Sequence, residues 1–371
     1  VTKTAITPLK LARYRNILKI AEGEPAQPIH WDVDPSTACD HSCRGCPYIY
    51  DGPIDPMLGV IRQQTAKDKR TLLDFDAFVR FVGQIAANGA KAVTFVGGGE
   101  PTLHPKFTAM MNCVADAGLK FGVITHLGRK YPNPEFFFAA LAKATWVRVS
   151  VNAGTRETYL KHQGKDDFDR MIENTACASI DHGCRLGWSF LITNDNYREI
   201  IEATHMAYEA GAAFIQFKPL IEVGEPGTVY HGLEDKIIEE LITVKLAYAS
   251  GPRLPREFQI LDQWSARLRE LKQHHAKQFS GACHVPKFNP KLGANGVVYT
   301  CCEFAYNDDA ALGSIYDEPL EAILRRAAQR CGQIDMAKCP QCWDKPVNTM
   351  INEGTFDQVV PPPSSVDEEF V

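Results

Sequence analysis

Between residues 28 and 220 the chain repeats one rhythm, a short apolar run followed by a longer amphipathic stretch. The short runs are 30–34, 92–96, 120–125, 146–152, 185–193 and 213–217. Each is rich in Val, Ile, Phe or Trp and is bounded by Gly, Asn, Asp or Pro, as strands are. Among the intervening stretches, 73–88, 105–117 and 199–210 carry helical spacing. The first has Asp74 and Asp76 at its amino end, where acids suit the helix dipole, and stops at Gly89. The second opens at Pro105 and stops at Gly118. Strands alternating with helices pair in parallel through right-handed crossovers. The expected class is α/β, closed as a partial (βα)6 barrel. A doubly wound open sheet satisfies the same alternation.

Size and charge narrow the reading further. With 371 residues and 45% hydrophobic content, the chain can bury one large core and a smaller module. It has no uncharged apolar run of about 18 residues, so no membrane span is expected. The opening Val1-Thr2-Lys3-Thr4-Ala5 lacks the apolar segment of a secretory signal, and a cytoplasmic location is expected. A formal net charge of −5 argues against coating nucleic acid. The expected organisation is an N-terminal helical extension over 1–27, with one helix at 9–20, and the barrel over 28–220. A helical connection over 221–280 follows, with helices at 233–250 and 256–274. A cysteine-bearing module over 281–345 and an extended, Pro-rich tail over 346–371 complete the chain.

Twelve cysteines in a chain without an export signal point to metal or redox use rather than disulfides. Seven of them fall into two groups. The first is the run Cys39-Asp40-His41-Ser42-Cys43-Arg44-Gly45-Cys46. No second CxxC pair follows nearby to complete a four-ligand site. Three thiolates on one short loop suit an iron–sulfur cube with one iron left open. The loop follows the strand at 30–34, at the carboxyl end of the sheet, where βα loops build sites. Five further cysteines (Cys113, Cys177, Cys184, Cys302 and Cys331) sit mostly in apolar contexts and read as buried structural thiols. The stretch 51–70 is a long insertion of the length expected of a lid.

Directly after the second strand comes Val96-Gly97-Gly98-Gly99-Glu100-Pro101. Its glycines let backbone approach a ligand closely, and Pro101 restricts Glu100 to an extended geometry. The cysteine triplet with CxxxCxxC spacing, followed by this GGEP run, resembles the radical S-adenosylmethionine (SAM) superfamily. That resemblance implies a 4Fe-4S cluster on Cys39, Cys43 and Cys46, and the SAM methionine amine at Gly97, Gly98, Gly99, Glu100 and Pro101. Reductive cleavage of SAM would then give methionine and a 5′-deoxyadenosyl radical that abstracts hydrogen from substrate. It further implies nucleotide contacts at Thr125 or His126, at Ser150 and Asn152, and along 188–192. One position departs from the family: the residue before the third cysteine is usually aromatic there and is Gly45 here. Tyr48 is then the candidate for the missing adenine-side packing.

The second group is Cys283, Cys301, Cys339 and Cys342. Seventeen residues separate Cys283 from Cys301, and a Cys339-Pro340-Gln341-Cys342 pair follows. The run Gly296-Val297-Val298-Tyr299-Thr300 reads as a turn and a strand, so Cys283 and Cys301 can face each other across a hairpin. Such a set suits a fully ligated iron–sulfur cluster or a structural zinc. The pattern C-x12-G-x4-C followed by CxxC resembles the SPASM and Twitch extensions of radical SAM enzymes. With no cysteine after Cys342, it matches the one-cluster Twitch type. The spacing is similar to that of the 2-deoxy-scyllo-inosamine dehydrogenases, which oxidise an aminocyclitol. That implies a second, auxiliary 4Fe-4S cluster. Adjacent residues of a strand face opposite ways, and the spacing from Gly296 selects Cys301 over Cys302 as the ligand.

Candidate substrate groups at strand ends are Asp34, His126, Arg148, Gln216 and Lys218, the last two on one face of a strand. The expected reaction is dehydrogenation of a small polar substrate (a sugar, aminocyclitol or nucleoside) with the auxiliary cluster accepting an electron. A flavodoxin- or ferredoxin-type protein would donate to the first cluster. A radical epimerase, with Cys302 or Tyr48 returning hydrogen, is one alternative, and a ribosomal-peptide maturase is another. A non-catalytic iron–sulfur or zinc protein would have no use for the glycine run.

Overall fold

A computed structural model describes residues 9–24, 26–46, 71–220, 232–249, 257–265, 281–334 and 344–354. The chain forms two compact units. One comprises Val1–Ala38, Pro56–Gly122 and Gln278–Val371; the other comprises Cys39–Asp55 and Val123–Lys277.

In the first unit, β1 (His30–Val33) pairs in parallel with β2 (Ala92–Phe95), His30 opposite Ala92 and Val33 opposite Phe95. The helix α2 (Phe75–Ala87) joins them, as the sequence expectation over 73–88 requires. Asp74 caps it by accepting from the Ala77 N–H at 2.8 Å. Its buried face carries Phe78, Phe81, Val82 and Ile85, and Phe81 meets Trp31 edge-on at 5.0 Å. The next helix, α3 (Phe107–Asp116), sets Phe107 edge-on to Phe95 at 5.2 Å. Each of these rings contributes about 1.5–3 kcal/mol by leaving water. From the C-terminal part of the chain, β8 (Lys291–Leu292) pairs in parallel with β1. The strands β9 (Val297–Tyr299) and β10 (Ala311–Ser314) extend that sheet antiparallel, which is the hairpin expected after Gly296. The helix α9 (Leu320–Arg330) follows. Residues Ile17 and Ile20 of α1 (Leu9–Ala21), Ile351 of α10 (Lys345–Glu353), Cys283, Val285 and Phe288 share one apolar cluster, so the expected extended tail begins with a helix whose apolar face is buried.

The strand β3 (Lys120–Thr125) runs across the chain boundary of the two units. In the second unit, β4 (Trp146–Ser150), β5 (Leu186–Ile192), β6 (Phe214–Pro219) and β7 (Gln259–Asp262) are parallel neighbours in that order. The helix α4 (Pro134–Leu141) leads from β3 into β4, α5 (Arg156–Gln163) and α6 (Phe168–Ala176) join β4 to β5, and α7 (Ile200–Glu209) joins β5 to β6. One sheet face carries Val147, Val149, Trp188, Phe190, Ile215 and Phe217, all fully buried, as two-sided burial of parallel strands demands. Gly187 of β5 leaves room for the ring of Phe214 on β6, which a Cβ there would meet at 2.2 Å.

The strand β7 corrects the sequence expectation. A helix was expected over 256–274, with the βα alternation ending at residue 220. Instead α8 (Glu234–Ala249) and β7 add one more βα unit. Phe258, Leu261 and Trp264 are spaced as on a helix face, which hid a four-residue strand. Backbone pairing with β6 and an ion pair from Lys245 to Asp262 at 2.5 Å decide the outcome. Among the described residues, no helix is long and apolar enough to cross a membrane.

Candidate functional site

The cysteine loop belongs to the second unit, and the C-terminal end of α5 grips it. The Ser42 N–H donates to the Gln163 carbonyl at 3.0 Å, and the Arg44 N–H donates to that of His162 at 2.7 Å. Gln163 is fully buried. Its amide donates to the carbonyls of Ser150 at 2.9 Å and Val151 at 3.1 Å, and its Oε1 accepts from the Cys43 thiol at 2.8 Å. The strand end after β4 therefore fixes the place of Cys43. Gly164 is pressed on the loop too: a Cβ there would lie 2.8 Å from the Ser42 carbonyl.

Charged side chains complete the grip. His41 Nε2 meets Asp167 Oδ2 at 3.1 Å, and the Tyr159 hydroxyl donates to Asp167 Oδ1 at 2.9 Å. His126 Nε2 meets Asp40 Oδ1 at 3.0 Å, and the rings of His41 and His126 stack with centroids 3.7 Å apart. The Lys165 ammonium lies 2.6 Å from Asp40 Oδ2, and Arg44 pairs with Asp195. Burial alone would raise the Asp167 carboxyl, but hydrogen bonding and charge from His41 outweigh it and hold it below its ordinary range. Asp40 is held well below that range in the same way, by His126 and Lys165 against its burial. Asp40, His41 and His126 bring possible ligand atoms within 4.8 Å of one another. Lys165 already supplies the cation there, so the cluster is an ion-pair network and not a metal site.

Gly45 explains the departure from the family's aromatic residue. Its φ is +71°, in the left-handed region, and a Cβ would lie 2.6 Å from Leu220 Cδ1. A side chain there meets both backbone strain and a filled space. Cys39, Cys43 and Cys46 are all half-buried, and three thiols on so firmly held a loop fit the donor set of an iron–sulfur cube. Tyr48 lies outside the described residues, as does the insertion over 51–70.

The glycine run belongs to the first unit, and each glycine is required for a different reason. A Cβ on Gly97 would fall 1.7 Å from the Gly99 carbonyl oxygen, within the tight turn itself. On Gly98 it would meet the Tyr306 hydroxyl at 2.9 Å, and on Gly99 the Ala38 carbonyl at 2.2 Å. The Glu100 N–H donates to that Ala38 carbonyl at 2.8 Å, which ties the run to the residue preceding Cys39. Glu100 is extended, as Pro101 demands, and buried. Its Oε1 accepts from the backbone and hydroxyl of Thr102 at 3.2 and 2.7 Å and caps the short turn Pro101–Leu103. Asp34 is sealed in the interior. It accepts from the Tyr306 hydroxyl at 2.9 Å and pairs with Lys291 at 2.9 Å, and burial pushes its carboxyl up against both.

The remaining sequence candidates lie on one polar sheet face of the second unit. Register places Ser150 of β4 beside Ser189 of β5 and Ser189 beside Gln216 of β6, with Arg148 and Lys218 on the same face one step to either side. Gln216 and Lys218 are both 8% exposed, and Gln216 Oε1 has no hydrogen-bond partner among the described residues. Ser189, within the stretch 188–192 expected beside the nucleotide, was not singled out because it stands between the apolar Trp188 and Phe190; the strand alternation held its signal. Asn152 takes a left-handed φ of +59° and accepts from the Leu191 N–H at 2.8 Å, so its side chain stitches β4 to β5. Thr125 Oγ accepts from the Leu127 N–H at 3.1 Å.

Of the second cysteine group, Cys283 is buried in the apolar cluster and Cys301 packs against it. Cys302 is different: burial pushes its thiol far up, with the charges of Glu303, Asp32 and Lys291 around it. Burial likewise pushes the Cys331 thiol up to about 11, Lys287 opposing. Cys339 and Cys342 lie outside the described residues.

Residues 33–207 match the Radical SAM superfamily. The fold is similar to that of SuiB from Streptococcus suis bound to S-adenosylmethionine (TM-score 0.59, 14% identity, covering 84% of this chain and 67% of SuiB). SuiB bound to the precursor peptide SuiA gives the same score at 15% identity, over 84% of this chain and 68% of SuiB. anSMEcpe with bound AdoMet and the Kp18Cys peptide scores 0.57 at 17% identity, over 86% of this chain and 87% of anSMEcpe. A search of curated proteins found no match. Likeness at these identities concerns the fold, the α/β partial barrel with a parallel sheet.

Proposed function

From the premise that residues 33–207 are a radical SAM domain, we propose an enzyme that abstracts a hydrogen atom from a small polar substrate and dehydrogenates it. Cys39, Cys43 and Cys46 hold a 4Fe-4S cluster; Cys283, Cys301, Cys339 and Cys342 hold an auxiliary one. When bound, the first supplies the electron that cleaves SAM to a 5′-deoxyadenosyl radical, and the second a store for the electron leaving substrate. Gly97, Gly98, Gly99, Glu100 and Pro101 receive the methionine amine, with Thr125, Ser150 and Asn152 beside the nucleotide. Gln163 and the His41–Asp167 pair keep the thiol loop in place. The adenine-side contact is assigned to Tyr48 on the family resemblance. The electron donor is a flavodoxin- or ferredoxin-type protein, and the location is cytoplasmic.

The observation supporting the substrate assignment is the polar row on β4, β5 and β6. A buried amide oxygen without a partner is costly, and a substrate hydroxyl or amine donating to Gln216 Oε1 relieves that cost. Lys218, on the same face, orients a substrate oxygen. A peptide substrate is the second reading, favoured by the peptides bound to SuiB and anSMEcpe. Incubation of reduced, cluster-loaded protein with deuterated polyols, aminocyclitols, nucleosides and peptides tests both. Deuterium in 5′-deoxyadenosine from a small polar compound supports the first, and transfer from peptides alone replaces it with the second.

A further inference from the structure

We propose that Tyr306 is a positioning residue that sets the backbone of Gly97, Gly98 and Gly99 for SAM, and so couples the C-terminal cysteine segment to SAM binding. The inference rests on the reading that this glycine run receives the SAM amine. Tyr306 lies five residues after Cys301, in the loop between β9 and β10. It is 5% exposed and holds a φ of +66°, which only a surrounding structure that dictates it makes a tyrosine adopt. Its ring packs on Tyr299 with centroids 5.5 Å apart. Its hydroxyl is fully engaged: it donates to Asp34 at 2.9 Å and accepts from the Ala294 N–H at 3.2 Å. Asp34 is locked in turn by Lys291, both essentially unexposed. That held hydroxyl is the atom a Gly98 Cβ would meet at 2.9 Å.

A hydroxyl fixed by a buried ion pair, and seated against the middle glycine, defines where that backbone can lie. Residues 291 to 306 supply the tyrosine and the lysine; the aspartate, Asp34, directly follows β1. The segment bearing Cys301 therefore shapes the run at the end of β2.

The test uses the anaerobically reconstituted protein and SAM itself. Tyr306→Phe keeps the ring and removes the hydroxyl. We expect the SAM dissociation constant to rise by about tenfold and the KM for SAM to rise with it. The perturbation that SAM imposes on the spectrum of the reduced cluster should change, at unchanged iron content. Tyr316→Phe removes a comparable hydroxyl, bonded to the Asp74 N–H in the same unit, and should leave SAM affinity unchanged. Gly98→Ala should weaken SAM binding in the native background, and somewhat less beside Tyr306→Phe, which removes the hydroxyl contact at 2.9 Å and leaves the ring carbons at 3.1 and 3.2 Å. Equal SAM affinity in Tyr306→Phe and the parent, or equal effects of Gly98→Ala in both backgrounds, overturns the positioning role alone. A parent protein that binds no SAM overturns the reading of the glycine run as well.

Discussion

The two cysteine groups are held in opposite ways. Around Cys39, Cys43 and Cys46 stand Asp40, His41, His126, Lys165 and Asp167, joined by hydrogen bonds and charge. Around Cys283 and Cys301 stand Ile17, Ile20, Val285, Phe288 and Ile351 of one apolar cluster. A polar network fixes direction, since each bond has a geometry, and it suits a loop that must present an open iron to an ionic cofactor. An apolar cluster fixes only exclusion of water. On the proposed function, that is what a fully ligated auxiliary cluster needs.

That contrast can be broken at several points. The largest effect should come from the thiols. The parent protein should bind about eight iron after anaerobic reconstitution, as two cubes require, and the Cys39→Ala, Cys43→Ala, Cys46→Ala triple variant about four. Equal iron in both would mean the first loop holds no cluster.

Next come the walls of the second group. Ile20→Ala should lower stability by about 2–4 kcal/mol, measured by chemical denaturation, because the cluster cannot collapse fully around the void. A loss near zero would mean the N-terminal helix does not cover Cys283. Asp167→Asn should cost less, about 1–3 kcal/mol, since His41 keeps a partner but loses its charged acceptor. It should also slow cluster uptake by the first loop while the second group loads at the parent rate. Slowing at both groups would contradict the separation.

The smallest effect concerns the ion pair that anchors β7. Burial works to raise the Asp262 carboxyl, but Lys245 and Ser265 hold it below its ordinary value. A carboxyl depressed on folding adds stability above its unfolded pKa of about 4, and that stability is lost as pH falls through the lower folded value. Since Lys245 is 40% exposed, the pair is worth no more than about 1 kcal/mol. Lys245→Met should therefore lower the melting temperature slightly at pH 7, and by progressively less as pH falls below about 4. A larger difference at the acidic end would reverse the sign argued here.

What could be read from residues alone follows the same division. Six strands were legible because each is a short run rich in Val, Ile, Phe or Trp bounded by Gly, Asn, Asp or Pro. The thiol loop and the glycine run were legible because their chemistry is local in sequence. The strand Gln259–Asp262 was not, because its spacing also fits a helix and only pairing with Phe214–Pro219 decides it. Gly45 looked like a defect in a motif until Leu220, far along the chain, filled the space beside it. Tyr306 and Lys291 carried no signal at all. Their meaning depends on Asp34 and Gly98, well over one hundred positions away in sequence.

The most direct measurement is chromatographic detection of 5′-deoxyadenosine after dithionite-reduced, anaerobically reconstituted protein is incubated with SAM. The account predicts 5′-deoxyadenosine and methionine in equal amounts from the parent, and none from the variant lacking Cys39, Cys43 and Cys46. Production by that variant, or none from a parent protein carrying its full iron, would contradict it.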